Sequence, residues 1–124
     1  MGQKHVLIVD DEIEICNIFY DFFTPKGYEV TKVTNGKAAL EKIKSERPDL
    51  VFLDIRMPEM DGIEVLKQIK QTDNTITVIM VTVLNDEETA KKALKLGAND
   101  YVPKPLSFDY LEKAALLVEL NTKK

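Results

Sequence analysis

Three shortages narrow what this sequence can do. The first is apolar length: the longest apolar runs, such as Val6–Val9 and Leu50–Leu53, fall far short of the roughly 20 residues needed to span a bilayer. No charged-then-apolar signal peptide opens the chain, so a cytoplasmic location without membrane contact is the expectation. The second is basic charge: 17 Lys and Arg against 21 Asp and Glu leave a net charge of -4. A nucleic-acid-binding domain normally carries a basic face, so direct binding of nucleic acid is not expected. The third is thiol and imidazole. The single cysteine, Cys16, has no partner for an internal disulfide and sits among Ile13, Ile15, Ile18 and Phe19, which reads as a small core residue. The single histidine, His5, opens the first apolar run with no neighbouring ligand and reads as structural or exposed.

What remains is an ordinary soluble composition, 44% hydrophobic and 31% charged over 124 residues. It suits one compact domain filling residues 1–124. Short apolar runs alternate with amphipathic stretches. Strands are expected at His5–Val9, Glu29–Val33, Leu50–Leu53, Thr77–Thr82 and Asp100–Val102. Helices are expected over Ile13–Phe23, from an Asn35 cap to about Glu46, over Ile63–Lys70, from an Asn85–Glu88 capping box to Gly97, and from a Ser107 cap to about Leu120. Glu29–Val33 is partly polar and belongs nearer a sheet edge. Five strands alternating with five helices imply a parallel sheet covered on both faces. The runs Val6–Val9 and Val51–Leu53, apolar on both faces, suit its buried centre.

In an open α/β sheet, ligands bind beyond the carboxyl ends of the strands. Asp10, Asp11 and Glu12 follow the first apolar run, Asp54 follows the third, Thr82 closes the fourth and Lys104 comes just after the fifth. Each residue has a plain structural explanation when taken singly. Acids favour the first turn of a helix, Asp54 before a proline loop can be a turn former, Thr82 suits a strand, and Lys104 can be a solvated surface lysine. Together they place acids, a hydroxyl and an ammonium on one edge. Clustered carboxylates repel one another unless a cation joins them. Oxygen ligands without His or Cys suit a hard ion, magnesium or manganese. A carboxylate can act as a nucleophile and form an aspartyl-phosphate, with lysine and hydroxyl binding the remaining phosphoryl oxygens.

The segments Val-Asp-Asp-Glu at 9–12, Leu-Asp-Ile-Arg-Met-Pro-Glu-Met-Asp-Gly at 53–62, Thr82, and Gly-Ala-Asn-Asp-Tyr-Val-Pro-Lys-Pro at 97–105 resemble bacterial response-regulator receiver domains. The likeness covers essentially the whole chain, in order and spacing. It implies a flavodoxin-like three-layer sandwich with strand order 2-1-3-4-5 and a phosphorylation-dependent signalling switch. Such a switch catalyses only its own phosphorylation and dephosphorylation. By the same resemblance Asp54 is the phosphoacceptor, supplied by a histidine kinase or phosphotransfer protein. Asp11 binds magnesium directly, Asp10 chiefly through water, and Asp54 with the Arg56 backbone carbonyl completes the shell. Lys104 pairs with the phosphoryl group and its bond to Pro105 is cis. Thr82 moves toward the phosphoryl group and Tyr101 turns inward with it, shifting the surface of the fourth helix, fifth strand and last helix. The first helix is the implied kinase-docking side. The output is a downstream protein target or a domain beyond this chain, and a homodimer through the switch surface is a further expectation.

The chain departs from the family pattern after Thr82, where Val83 and Leu84 replace the usual small residue. Arg56 stands beside the site where it can meet incoming anions. Both departures point to a phosphoryl lifetime unlike that of faster-cycling relatives. Three other readings meet obstacles in the same residues. A flavodoxin needs a hydroxyl- and glycine-rich phosphate loop where Asp10-Asp11-Glu12 stands. A metal-dependent phosphohydrolase needs a substrate pocket that 124 residues do not obviously offer. A receiver-like module that no longer accepts phosphate would not need the full set of acids, Thr82 and Lys104.

Overall fold

The computed structural model describes residues 4–83, 86–104 and 107–122, apart from the side chains at 108, 118, 121 and 122. The strands are β1 His5–Val9, β2 Glu29–Val33, β3 Leu50–Asp54, β4 Thr77–Val83 and β5 Asp100–Lys104. The helices are α1 Ile13–Phe23, α2 Gly36–Glu46, α3 Gly62–Thr72, α4 Glu87–Lys95 and α5 Phe108–Thr122. All pairings are parallel, in the order β2-β1-β3-β4-β5. This is the flavodoxin-like arrangement expected from the sequence, with Glu29–Val33 at an edge. The chain leaves β1 toward one edge and returns to β3 on the other side, so the order reverses between β1 and β3. A crevice opens at that point, beyond the strands' carboxyl ends.

The alternation of strand side chains builds two cores, one on each face. On one face Leu7, Val51, Leu53, Val78 and Met80 meet Ile43 of α2 and Leu66 and Ile69 of α3. On the other, Val6, Ile8, Phe52 and Ile79 meet Cys16, Phe19 and Phe23 of α1 and Leu111 and Ala114 of α5. Phe19 stacks on Phe52 with ring centroids 4.6 Å apart. Every residue of β3 is buried, so its position is fixed from both sides, at about 25 cal/mol per Å² of apolar surface removed from water. Cys16 is fully buried, as the sequence suggested. Its thiol donates to the backbone carbonyls of Asp10 and Val33, at 3.4 and 3.7 Å.

Helix starts follow local chemistry. Asn35 accepts from the Ala38 N–H at 2.8 Å, and Ser107 accepts from the Tyr110 N–H at 3.2 Å, both as expected. Asp61 caps α3 by accepting from the Glu64 N–H at 3.0 Å, which the sequence reading passed over. For α4 the expected cap falls on Asn85, which lies outside the described residues. Asp86 occupies the N-cap position, and contacts with the Thr89 hydroxyl and backbone N–H, with Arg56 adding to them, hold its carboxyl below the ordinary range. The helix closes at Lys95 with Gly97 at φ +113°, beyond it, a conformation that glycine adopts without a side-chain penalty.

The amino end of the sheet is held by matched polar contacts. Asp49 accepts the His5 backbone N–H at 2.8 Å. The His5 ring sits 2.8 Å from the Thr31 hydroxyl and 3.1 Å from Glu46. Arg47 pairs with Asp73 at 3.1 Å, and Asp73 also accepts from the Thr75 N–H. The Asn99 side chain accepts from the Val78 N–H at 3.0 Å, while the Asn99 N–H donates to the Val78 carbonyl at 2.7 Å.

Candidate functional site

The parallel ladder runs one or two residues further than the apolar runs suggested. Asp54 is the last residue of β3, Lys104 the last of β5, and Thr82 lies one residue inside the end of β4. The register pairs Val9 with Leu53, Asp54 with Val81, and Thr82 with Pro103. Asp10, Asp54, Thr82 and Lys104 therefore emerge at nearly one level. Asp11, Glu12, Asp54, Arg56, Thr82, Val83 and Lys104 line a cleft of about 270 Å³ there. Asp10 is buried beside it, in contact with Lys104, and Asp11 is exposed.

Tight backbone contact holds the far wall. The Gly62 N–H donates to the Ile55 carbonyl at 2.7 Å. A Cβ at Gly62 would overlap the Asp54 carbonyl and come within 2.7 Å of the Ile55 Cα. Only a residue without a side chain lets α3 start this close to the end of β3.

Three carboxylates converge on one ammonium. Lys104 Nζ lies 3.0 Å from Asp10 Oδ2, 3.1 Å from Glu12 Oε1 and 3.5 Å from Asp54 Oδ2. Asp10, Asp11 and Asp54 each offer an oxygen, all within 4.8 Å of one another. Asp10 Oδ1 accepts from the Glu12 N–H at 2.9 Å. Asp10 Oδ2 is buried and has Lys104, which it shares with Glu12 and Asp54, as its charged partner. Burial raises the Asp10 carboxyl above its ordinary range, with the Glu12 N–H and Lys104 pulling the other way. Asp54 is pushed up to about 7, by burial first and then by the negative charge of Asp10. Lys104 and the Arg56 N–H, 3.3 Å from Asp54 Oδ1, offset part of this. For Lys104, burial works against the charged form, but Asp10, Asp54 and Glu12 outweigh it and raise its pKa.

These features describe a place short of positive charge. Three carboxylates share one lysine with a fourth, Asp11, close by, and one of them, Asp54, is driven toward neutrality. The donors are all oxygens, the chemistry that hard divalent cations take. A divalent cation fits this set. It would offset the negative charge of the three acids that share Lys104 and return Asp54 to its ionised form.

Thr82 is 4% exposed and lines the cleft. Its hydroxyl makes a long 3.4 Å bond to the Val83 carbonyl, so little holds it in its present direction. Tyr101 is half-buried against the core on the α2–α3 face. Val83 stands at the rim, 49% exposed. Leu84 and the Lys104–Pro105 bond lie outside the described residues. Sequence reading did not anticipate that Glu12 shares Lys104, or that the Arg56 guanidinium pairs with Asp86, at 2.8 and 2.9 Å. The first had a signal in the acid beside Asp11. The second had none, because thirty positions separate the partners.

Comparison with known proteins agrees with this geometry. The family described as "Response regulator receiver domain" matches residues 6–116. The transcriptional regulatory protein ZraR of Klebsiella oxytoca is 47% identical over 110 residues, covering 89% of this chain and 25% of that protein. The sporulation initiation phosphotransferase F of Bacillus subtilis is 38% identical over 92% of both chains. The crystal structure of the receiver domain of NtrX from Brucella abortus superposes with a TM-score of 0.84 at 33% identity, covering 90% of this chain and 94% of that one. The chain spans about a quarter of the length of the ZraR relatives it matches.

Proposed function

The chain belongs to the response regulator receiver domain family, and on that premise we propose that Asp54 accepts a phosphoryl group in a Mg2+-dependent reaction. The observation that carries this reading is the convergence of Asp10, Asp11, Asp54, Thr82 and Lys104 on one cleft at the carboxyl ends of four strands. The donor is a phosphohistidine on a histidine kinase or a phosphotransfer protein. Residues 1–124 act as one cytoplasmic receiver unit. Among the described residues no helix is long and apolar enough to cross a membrane.

Asp10, Asp11, Asp54 and the backbone carbonyl of Arg56 would hold Mg2+, with Mn2+ as an alternative. When bound, the ion supplies positive charge against the phosphoryl oxygens and the acids. The chain's own residues do the rest. The ionised Asp54 carboxylate attacks phosphorus, the phosphorus–nitrogen bond breaks, and its electron pair stays on the departing imidazole. Asp54 has no proton to lose in this step, so no general base is needed. Lys104, already 3.5 Å from Asp54, stabilises charge on the transferring group, and the loosely held Thr82 hydroxyl turns to donate to it. Hydrolysis by water reverses the modification, so the catalysis is confined to the chain's own phosphorylation and dephosphorylation. The new contacts of Thr82 and Lys104, with inward rotation of Tyr101, shift α4, β5 and α5 by the 1–3 kcal/mol typical of such coupling, an order-of-magnitude figure of about that size. That surface acts on a downstream protein or an output domain, and is where a homodimer would form.

The deciding experiment treats the protein with Mg2+ and acetyl phosphate and weighs it. A mass increase of one phosphoryl group that disappears in Asp54→Asn is expected. No increase, or one that survives Asp54→Asn, overturns the reading.

A further inference from the structure

Resting on the reading of Asp54 as the phosphoacceptor, we propose that Glu12 is a positioning residue for Lys104, its carboxylate holding the place at the ammonium that the phosphoryl group later takes. The resting cleft therefore carries its own competitor, and Glu12 sets how readily the phosphorylated state forms.

The capacity of Lys104 is the first ground. An ammonium has three N–H donors and no acceptor. Three carboxylates already stand at it: Asp10 Oδ2 at 3.0 Å, Glu12 Oε1 at 3.1 Å and Asp54 Oδ2 at 3.5 Å. The Lys104 side chain is 13% exposed, so it sits among these acids rather than in solvent. A phosphoryl group on Asp54 brings three more acceptor oxygens and a charge approaching -2 to the same ammonium. One of the present partners has to yield.

Burial decides which. The Asp10 side chain is 2% exposed, and its other oxygen accepts the Glu12 N–H at 2.9 Å. Away from Lys104 it has no water to turn to, and a buried charge parted from its cation is strongly destabilising. Asp54 is the group being modified. The Glu12 side chain is 59% exposed, so water can replace Lys104 there with little loss of free energy. Glu12 is the replaceable partner.

The exchange needs no movement of the backbone. The Glu12 N–H is held by Asp10, and its carbonyl accepts from the Ile15 and Cys16 N–H groups at 3.0 and 3.3 Å. Its side chain makes no capping bond to α1 and lines the cleft with Asp54, Thr82 and Lys104. Among the described residues the acids grouped closely enough to hold a cation are Asp10, Asp11 and Asp54, without Glu12. The Glu12 carboxylate can thus leave Lys104 and return to it by side-chain rotation, with the start of α1 and the three grouped acids in place.

The test compares variants of the full chain by calorimetry with Mg2+ and beryllium trifluoride, a stable mimic of the phosphoryl group. Glu12→Gln should tighten binding of the mimic about two- to fivefold, the range of an exposed ion pair. Glu12→Asp keeps the charge but is one methylene too short to hold Lys104, and aspartate favours capping the helix instead; it too should tighten the mimic. Glu14→Gln removes a charge from the first turn of α1 that is not among the partners of Lys104, and should leave the affinity unchanged. Mg2+ affinity without the mimic should change less than about fivefold in Glu12→Gln, again within the ion-pair range. Weaker or unchanged binding of the mimic in Glu12→Gln overturns the proposal. So does Glu12→Asp that behaves as wild type, or Glu14→Gln that matches Glu12→Gln, since either result means general repulsion of anions. A larger loss of Mg2+ affinity makes Glu12 a metal ligand and also overturns it. If the wild type fails to bind the mimic, the assignment of Asp54 falls first; binding that is lost in Asp54→Asn but unmoved by changes at Glu12 removes this proposal alone.

Discussion

The two ends of one sheet handle charge in opposite ways. At the amino end His5, Thr31, Glu46, Arg47, Asp73 and Asn99 are matched donor to acceptor. At the carboxyl end Asp10, Glu12 and Asp54 share one lysine, and Asp11 adds a further carboxylate beside Asp10 and Asp54. Both ends rest on the same buried strands, so hydrophobic packing does not explain the difference. The amino-end groups named here balance one another, whereas the carboxyl end carries an excess of negative charge. Unfavourable electrostatics is tolerated where the core is strong enough to hold it, and it marks the working end.

The largest effect that would sharpen this contrast lies at Gly62. Gly62→Ala forces a methyl group into the Asp54–Ile55 backbone. It should cost about 3 kcal/mol or more in urea unfolding, at the severe end of overpacking, and reduce phosphorylation by displacing Asp54. At the matched end Asn99→Ala should cost about 1–2 kcal/mol, the scale of a lost hydrogen bond. Equal costs for the two would break the contrast.

Next in size is the pH response. Asp54 is pushed up to about 7 in the folded chain and is near 3.9 when unfolded. Between those values the folded state binds the extra proton, so stability falls as pH rises from about 4 through 7. Asp54→Asn should flatten that fall and raise metal-free stability at pH 8 by about 2 kcal/mol, since part of the shift belongs to the Asp10–Asp54 pair jointly. Saturating Mg2+ should flatten it in the wild type. A thermal midpoint that rises with pH over this range without metal would contradict the crowding argument.

A smaller effect belongs to the loop between the strand end and α3. Glu59 holds φ +72°, which disfavours any residue with a side chain. Glu59→Gly should stabilise by about 1 kcal/mol in the same urea assay, the left-handed penalty less glycine's entropy cost. The smallest effect is kinetic. Val83 at the rim should slow access of hydrolytic water, so Val83→Ala should shorten the phosphoryl lifetime about twofold, roughly 0.4 kcal/mol in barrier. Equal dephosphorylation rates would remove Val83 as the cause.

Most of the fold was legible because its signals are local. The runs at Val6–Val9 and Leu50–Leu53 mark central strands, and Asn35 and Ser107 mark helix starts. The cluster at the carboxyl end was legible because polar residues punctuate each run. What escaped was set by tertiary contact. Asp54 and Lys104 were read as following their strands, yet the parallel ladder carries on through both. Asp61 has the Asp-x-x-Glu pattern of a cap and could have been read. The Arg56–Asp86 pair depends on how the loop after β3 meets α4, which no local pattern encodes, and the left-handed Glu59 carries no signal in its residue type.

The contact at Gly62 also has a mechanical meaning. Because its N–H is bonded to the Ile55 carbonyl, the segment from 55 to 62 is pinched shut at its neck and has little slack to take up. The start of α3 is thereby tied to the end of β3. The phosphoacceptor position and that helix are held as one body, so a side chain added at their joint would move both.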